Sequence, residues 1–337
     1  MTDQAASSRT PSALLGAVPS IVGVVVAFVA AIVQYSGIDG GTTKHLYGLD
    51  LFLGLPNVAV SVVFFSLFVA WFVGVAAGAQ YDHRLWIAAI VVASIGVVFE
   101  LLAVIFDASG VTIVELVAAI GVLVVTILGC RAAEALGAAP QVAGPDRPKV
   151  FGWFVILAGL AGLTAAYNLS VDKVTAILTP DVKLNCSISP LVECGKNLGS
   201  WEGSLFGFPN PFIGLGAFAV VLVVGIAVLT GVRYPRWWWV AFNIGVIAAF
   251  AFITFLIISS VYVIGTLCVW CALVWIFTIP LFWLTTIRNL KNGDLRVSPR
   301  ATKFFASAYT WVPLITLVCY LVVLAIYQVQ LQLLNYL

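Results

Sequence analysis

Nine apolar stretches, near residues 17–36, 56–79, 85–106, 111–130, 150–170, 210–231, 237–260, 266–287 and 309–333, dominate the chain. Each is long enough to cross a hydrocarbon layer about 30 Å thick as a helix. Runs such as Ile21 to Val33 and Ala217 to Thr230 are apolar all round, whereas the strands of a membrane barrel alternate apolar and polar residues. The expected fold class is an all-α integral membrane protein of about nine transmembrane helices. Composition agrees, because 62% of the residues are apolar and 9% charged, against roughly 45–50% and 25% in soluble domains. A net charge of +2 is too small and dispersed to suggest nucleic acid as a partner. The two histidines, His45 and His83, stand far apart at loop-like positions. That argues against a haem held by paired intramembrane histidines and against a His-rich metal site.

The first apolar run exceeds the core of a cleavable signal and follows a single basic residue, Arg9, so it reads as a retained helix. Basic residues stay on the cytoplasmic side. A cytoplasmic N-terminus puts twelve of the sixteen Lys and Arg inside and leaves Lys44, Lys173, Lys183 and Lys196 outside. The 171–209 loop and the C-terminus are then expected on the outer face of the cell (inner) membrane, and Asp172, Asp181, Glu193 and Glu202 read as the acidity of a solvated loop. Trp237, Trp238 and Trp239, after Arg236, read as an interfacial aromatic belt.

An Ala-, Gly- and Pro-containing segment at 135–148 divides the chain. On its two sides a pattern recurs. Leu51-Phe52 with Leu55-Pro56-Asn57 matches Leu205-Phe206 with Phe208-Pro209-Asn210, and the Pro-Asn and the Tyr81 and Tyr234 anchors share an offset of 153 residues. We therefore expect a degenerate four-helix unit at 1–134, the linker at 135–148, a second four-helix unit at 149–291, and a basic linker with one more helix at 292–337.

Four of the six cysteines form a pattern. Cys268-Val-Trp-Cys271 opens the eighth span, where two residues of separation on a first helical turn allow a disulfide to close and reopen with little backbone movement. Cys186 and Cys194 lie in the preceding outer loop with Pro190 between them, a turn signal in a compartment that permits disulfides. Two dithiol pairs on one side of a membrane suggest a relay of thiol–disulfide exchange. A structural loop disulfide beside two inert thiols, and a four-cysteine zinc site, are the alternatives that spacing leaves open. Cys130 and Cys319 sit alone in apolar spans, and no role is expected for them. Between the pairs, the glycine- and aromatic-rich stretch Gly195 to Gly214 reads as a surface half-helix covering something apolar. The head of a lipid-soluble two-electron acceptor, a quinone, is its most economical guest.

These motifs together resemble the vitamin K epoxide reductase family, particularly its bacterial disulfide-forming members, over about residues 148–290. They are the Cys-x7-Cys loop, the Ser204-Leu-Phe-Gly-Phe-Pro-Asn-Pro211 stretch opening the next helix, and Cys-x-x-Cys at the head of the fourth helix. The resemblance implies that Cys186 exchanges with a secreted or periplasmic thioredoxin-fold thiol oxidase and that Cys194 attacks Cys268. Cys271 would then face a quinone, menaquinone or ubiquinone, held among Phe206, Phe208, Asn210 and Trp275. No metal is implied. Animal members carry an Asn two residues before the Leu-Phe-Gly-type motif and a Tyr four residues after the last cysteine, where this chain has Gly203 and Trp275.

Rival readings are a vitamin K epoxide or quinone reductase proper, a non-enzymatic transporter of parallel repeats, and a scaffold stapled by disulfides. Glu100 and Glu115 are acidic residues within or at the edge of apolar spans, in the half without the four cysteines, and read as structural or interfacial.

Overall fold

A computed structural model of the chain describes residues 10–36, 51–52, 55–76, 81–106, 110–135, 149–179, 184 and 186–332. His45, Asp181, Lys183 and residues 136–148 of the expected linker lie outside them. The helices are α1 (Thr10–Ser36), α2 (Asn57–Ala76), α3 (His83–Phe106), α4 (Gly110–Ala135), α5 (Lys149–Leu178), the single-turn α6 (Gly195–Gly199), α7 (Asn210–Thr230), α8 (Arg236–Ser259), α9 (Val269–Asn292), α10 (Pro299–Ala308) and α11 (Val312–Leu331). Among the described residues, strand pairing is confined to a two-residue antiparallel ladder, Leu51–Phe52 with Leu55–Pro56, and a parallel bridge between Val192 and Leu267. Among the described residues, eight helices are long and apolar enough to cross a membrane, and the apolar stretch of α1, Ala17–Ile32, is shorter. The chain is an all-α, multi-pass membrane protein. Its last candidate span starts earlier than hydropathy suggested, because α10, a tight turn at Tyr309–Trp311 and α11 follow one another over Pro299–Leu331.

Two compact units make up the chain. The first comprises residues 1–159, 206–208 and 212–234, and the second residues 160–205, 209–211 and 235–337. In the first, large side chains seat on small ones. Phe64, Phe65, Phe68 and Phe72 of α2 are buried against Ala17 of α1, Ala89 and Ala93 of α3, and Ala118, Ala119 and Val122 of α4. Lipid tails are as apolar as these side chains, so close packing rather than water exclusion holds such helices together. Gly96 lets α3 approach, since a Cβ there would stand 2.1 Å from the Phe64 ring.

Helices α2 and α7 each begin at an Asn preceded by Pro, and α3 and α8 begin at His83 and Arg236. Both pairs of starts are 153 residues apart, as are Tyr81 and Tyr234. Those two phenol oxygens meet at 3.3 Å within the first unit. Burial pushes Tyr81 well above the usual phenol range and Tyr234 up to about 12, so the pair stays a neutral hydrogen bond at any physiological pH.

In the second unit, α8 ends in a wide π-type turn, Ser260–Ile264, closed by Gly265 at a φ of 75° that favours glycine. The wide turn sets Leu267 against the loop that carries Cys186 and Cys194, and Leu267 N donates to Leu191 O at 2.8 Å. On the far side α11 packs on α9. Tyr327 of α11 is buried, donates to Ser260 Oγ at 2.9 Å, and lies 6.0 Å from the Trp275 ring. Ser260 in turn donates to the Thr266 carbonyl. The extra helix thus braces the turn that presents Cys268. Tyr327→Phe is expected to cost about 1 kcal/mol of stability, the net worth of one neutral hydrogen bond. A thermal midpoint in detergent equal to that of the parent would contradict this.

Candidate dithiol site

The loop pair is positioned by a tight turn. Ile188 N donates to Val192 O at 2.9 Å and Val192 N to both Ser189 O and Ser189 Oγ at 3.1 Å, folding the segment back on itself around Pro190. Cys186 and Cys194 are thereby brought to a Cα separation of 5.8 Å and are joined as a disulfide. Cys194 heads α6, whose end is pinned by Lys173 Nζ donating to Leu198 O and by Asn197 Nδ2 donating to Thr266 Oγ1 at 2.8 Å.

The membrane pair starts α9. Cys268 is its N-cap, with extended backbone, and its sulfur accepts from Cys271 N at 3.3 Å. A helix start leaves several N–H groups without intrahelical acceptors. Here one of them, Cys271 N–H, is turned on the Cys268 sulfur.

The two pairs meet. Cys268 Sγ lies 3.1 Å from Cys194 Sγ, and both residues are 0% exposed. Cys186, Cys194 and Cys268 form one buried cluster with Leu169, Leu184 and Leu198, and Ala176, Trp270 and Cys271 pack on it. Cys268 and Cys271 are free thiols, Cys271 partly exposed. The order Cys186, Cys194, Cys268, Cys271 is therefore a chain of sulfurs with one covalent link, one contact, and one helical turn. Such a chain can pass a disulfide stepwise without water entering. Cys130 and Cys319 are free thiols outside this cluster.

Asp172 was read from sequence as part of a solvated loop, but α5 continues to Leu178 and buries it at 5% exposure. One of its carboxylate oxygens lies within 4.8 Å of both Cys186 Sγ and Cys194 Sγ, and Oδ2 has no hydrogen-bond partner. Glu202, read the same way, is 3% exposed in the 3-10 turn Trp201–Ser204.

The four residues expected around an acceptor are placed as follows. Trp275 is buried in the apolar cluster of Val192, Ile253, Ile257, Val261, Ile279 and Tyr327, on which Cys271 also packs. Asn210 is buried, but both ends of its amide are engaged within the loop. Its Nδ2 donates to Glu202 O, and its Oδ1 accepts from Leu205 N at 3.1 Å. Phe206 and Phe208 belong to the first unit, where Phe208 is buried beside Phe28 at 5.4 Å and Phe206 is 53% exposed. Gly203 has a steric reason to be glycine: an added Cβ would stand 2.5 Å from Asn197 O and 3.1 Å from Leu198 O. The asparagine of the animal enzymes has no room on this backbone. Gly203→Asn is expected to unseat α6 and cost roughly 1–3 kcal/mol, read as a lower thermal midpoint together with faster alkylation of Cys194 after reduction. An unchanged midpoint would contradict the crowding.

Fold and site define a multi-pass helical membrane protein with two cysteine pairs in sulfur contact. Residues 153–286 match the vitamin K epoxide reductase family. That segment carries the family's domain, which implies an oxidoreductase activity. Neither the curated proteins nor the solved structures yield a match.

Proposed function

We propose that the protein is a quinone-dependent thiol–disulfide oxidoreductase that reoxidises a secreted thioredoxin-fold thiol oxidase and so drives disulfide formation outside the cytoplasm. The observation that carries this reading is the 3.1 Å contact between Cys194 and Cys268, which joins a loop pair to a membrane pair.

The exchange runs in two steps. With the loop reduced and Cys268–Cys271 oxidised, the Cys194 thiolate attacks Cys268 Sγ. The Cys194–Cys268 bond forms, the Cys268–Cys271 bond breaks, and Cys271 leaves as thiolate. Cys186 then attacks Cys194 Sγ, forming the Cys186–Cys194 disulfide and releasing Cys268 as thiolate. Two electrons move from loop to membrane pair, and the loop thiols give up two protons. The partner dithiol reopens the loop by attack at Cys186, which is the outer sulfur of the series.

A quinone supplies an acceptor for two electrons and two protons within the bilayer. The residues suit such a group. Cys271 is partly exposed while Cys268 is sealed, and the walls beside Cys271 are apolar, with Trp275 offering a flat face. Asn210 shapes the loop above through its two hydrogen bonds, and Phe206 and Phe208 belong to the same motif.

The first half reads as a copy of the same helical unit without the relay cysteines. Its support is the shared 153-residue spacing of helix starts and tyrosines. The domain boundaries proposed are 1–134, 135–148, 149–291 and 292–337, with the N-terminus in the cytoplasm and the loop pair outside.

Oxidation of a secreted dithiol reporter by membranes bearing the protein tests the activity. Extraction of quinone is expected to stop reporter oxidation, and added menaquinone or ubiquinone to restore it. Oxidation that continues in quinone-free membranes would sink the reading.

A further inference from the structure

The first unit buries two carboxyl groups inside its membrane helices. Glu100 of α3 is 0% exposed and Glu115 of α4 is 1% exposed, although sequence had suggested an interfacial place for the latter. Both reach the same hydroxyl. Ser61 Oγ of α2, itself 0% exposed, lies 2.9 Å from Glu100 Oε1 and 3.4 Å from Glu115 Oε2, and 3.1 Å from the Asn57 carbonyl oxygen. The remaining oxygens, Glu100 Oε2 and Glu115 Oε1, are fully buried and have no hydrogen-bond partner.

Counting hydrogens limits the charge this arrangement can carry. Ser61 has one hydroxyl proton and three oxygen neighbours, so it can donate to only one of them. Any carboxyl that does not receive this proton is hydrogen-bonded to Ser61 Oγ only if it brings a proton of its own. Two carboxylates sharing one hydroxyl away from water would also repel each other without screening. Among the described residues no Lys, Arg or His forms an ion pair with either carboxyl. Helices α1 and α2 carry no charged residue. The other charged or titratable residues of α3 are His83 and Arg84 at its start, and those of α4 are Cys130, Arg131 and Glu134 near its end. At 1.5 Å per residue these lie about 20 Å or more along the helix from Glu100 or Glu115.

We propose that Ser61, Glu100 and Glu115 form an intramembrane proton-binding site, a carboxyl pair that holds an exchangeable proton on the oxygens the protein leaves unpartnered. A purely structural polar contact needs one hydrogen bond across helices. Two acids converging on one serine, each with a free buried oxygen, provide binding capacity beyond that need. The site is separate from the sulfur relay and stands or falls without it.

The test uses the full chain in detergent, treated with dicyclohexylcarbodiimide over a pH series and read by peptide mass. The reagent is apolar and adds to protonated carboxyls. Glu100 or Glu115 is expected to be modified, with labelling falling about tenfold per pH unit above its midpoint, equally in sodium chloride and choline chloride. Glu100→Gln is expected to lower the midpoint of Glu115, and Glu115→Gln that of Glu100, because each removes a like-charged neighbour. A structural contact would not move either midpoint in this way. Infrared spectra of the unaltered protein supply a second reading should a variant not fold, as a protonated-carboxyl band that shifts in heavy water and vanishes at alkaline pH. Absence of both label and band at acid pH would overturn the proposal. So would a midpoint indifferent to the neighbouring substitution. Protection by sodium at fixed pH would overturn it too, by making this a sodium site.

Discussion

A Cys186→Ala/Cys271→Ala double variant, oxidised mildly in detergent, is expected to close a disulfide between Cys194 and Cys268. Under the proposed relay that bond is transient in the parent chain, resolved by Cys186 from the loop side and by Cys271 from the membrane side. Without both resolving thiols, the contact at 3.1 Å is left to oxidise and persist. Peptide mapping without reductant would find the loop peptide joined to the start of α9. Each single substitution among the four cysteines is expected to lower turnover by about 10³-fold or more, because a relay missing one sulfur has no parallel route. Cys130→Ser and Cys319→Ser are expected to leave turnover intact. Failure of the double variant to cross-link, with the chain still folded, would remove the step on which the mechanism depends.

The second large effect concerns a residue that sequence placed in solvent. Asp172 presents a carboxylate oxygen within 4.8 Å of both loop sulfurs, and its neighbour Lys173 is engaged with the Leu198 carbonyl instead. Opening the Cys186–Cys194 disulfide makes thiolates that must be protonated, and closing it removes those protons. A carboxyl beside both sulfurs can serve each direction as a general acid or base. Asp172→Asn is expected to slow loop exchange about 10²-fold and to delete one ionisation from its pH profile, while Asp172→Glu restores part of the rate. A profile unchanged in Asp172→Asn would limit Asp172 to packing.

Sequence carried the membrane class, both cysteine pairs and the family motif because each is written in consecutive residues. Apolar runs encode spans, and Cys-x-x-Cys at a helix start encodes a pair on one turn. What it did not carry lies in contacts between distant helices. Ser61 meets Glu100 across 39 positions and Glu115 across 54, and no pattern along α2, α3 or α4 says that the three share a point in space. Asp172 was missed for a different reason. The Asp-Lys pair ends the apolar window, but the helix does not end with it, and α5 runs on to Leu178 with its buried face intact. Tyr327 lies in a helix beyond the family segment, so its place beside Trp275 and Ser260 follows from packing alone. Asn210 was expected among the residues around the quinone, and its amide also holds the Glu202 carbonyl and the Leu205 N–H. An amide in a loop motif reads the same from sequence whether it serves the loop or a guest.

Under the proposed relay, electrons entering at the loop leave through Cys271 to a quinone. The relay's most direct test is quinone reduction by the purified chain, followed by absorbance, with a reduced thioredoxin-fold dithiol protein as donor. Steady loss of the quinone absorbance in the parent and none in Cys271→Ser is the result predicted. Equal rates in both, or no reduction with either menaquinone or ubiquinone analogues by a folded parent, would contradict it.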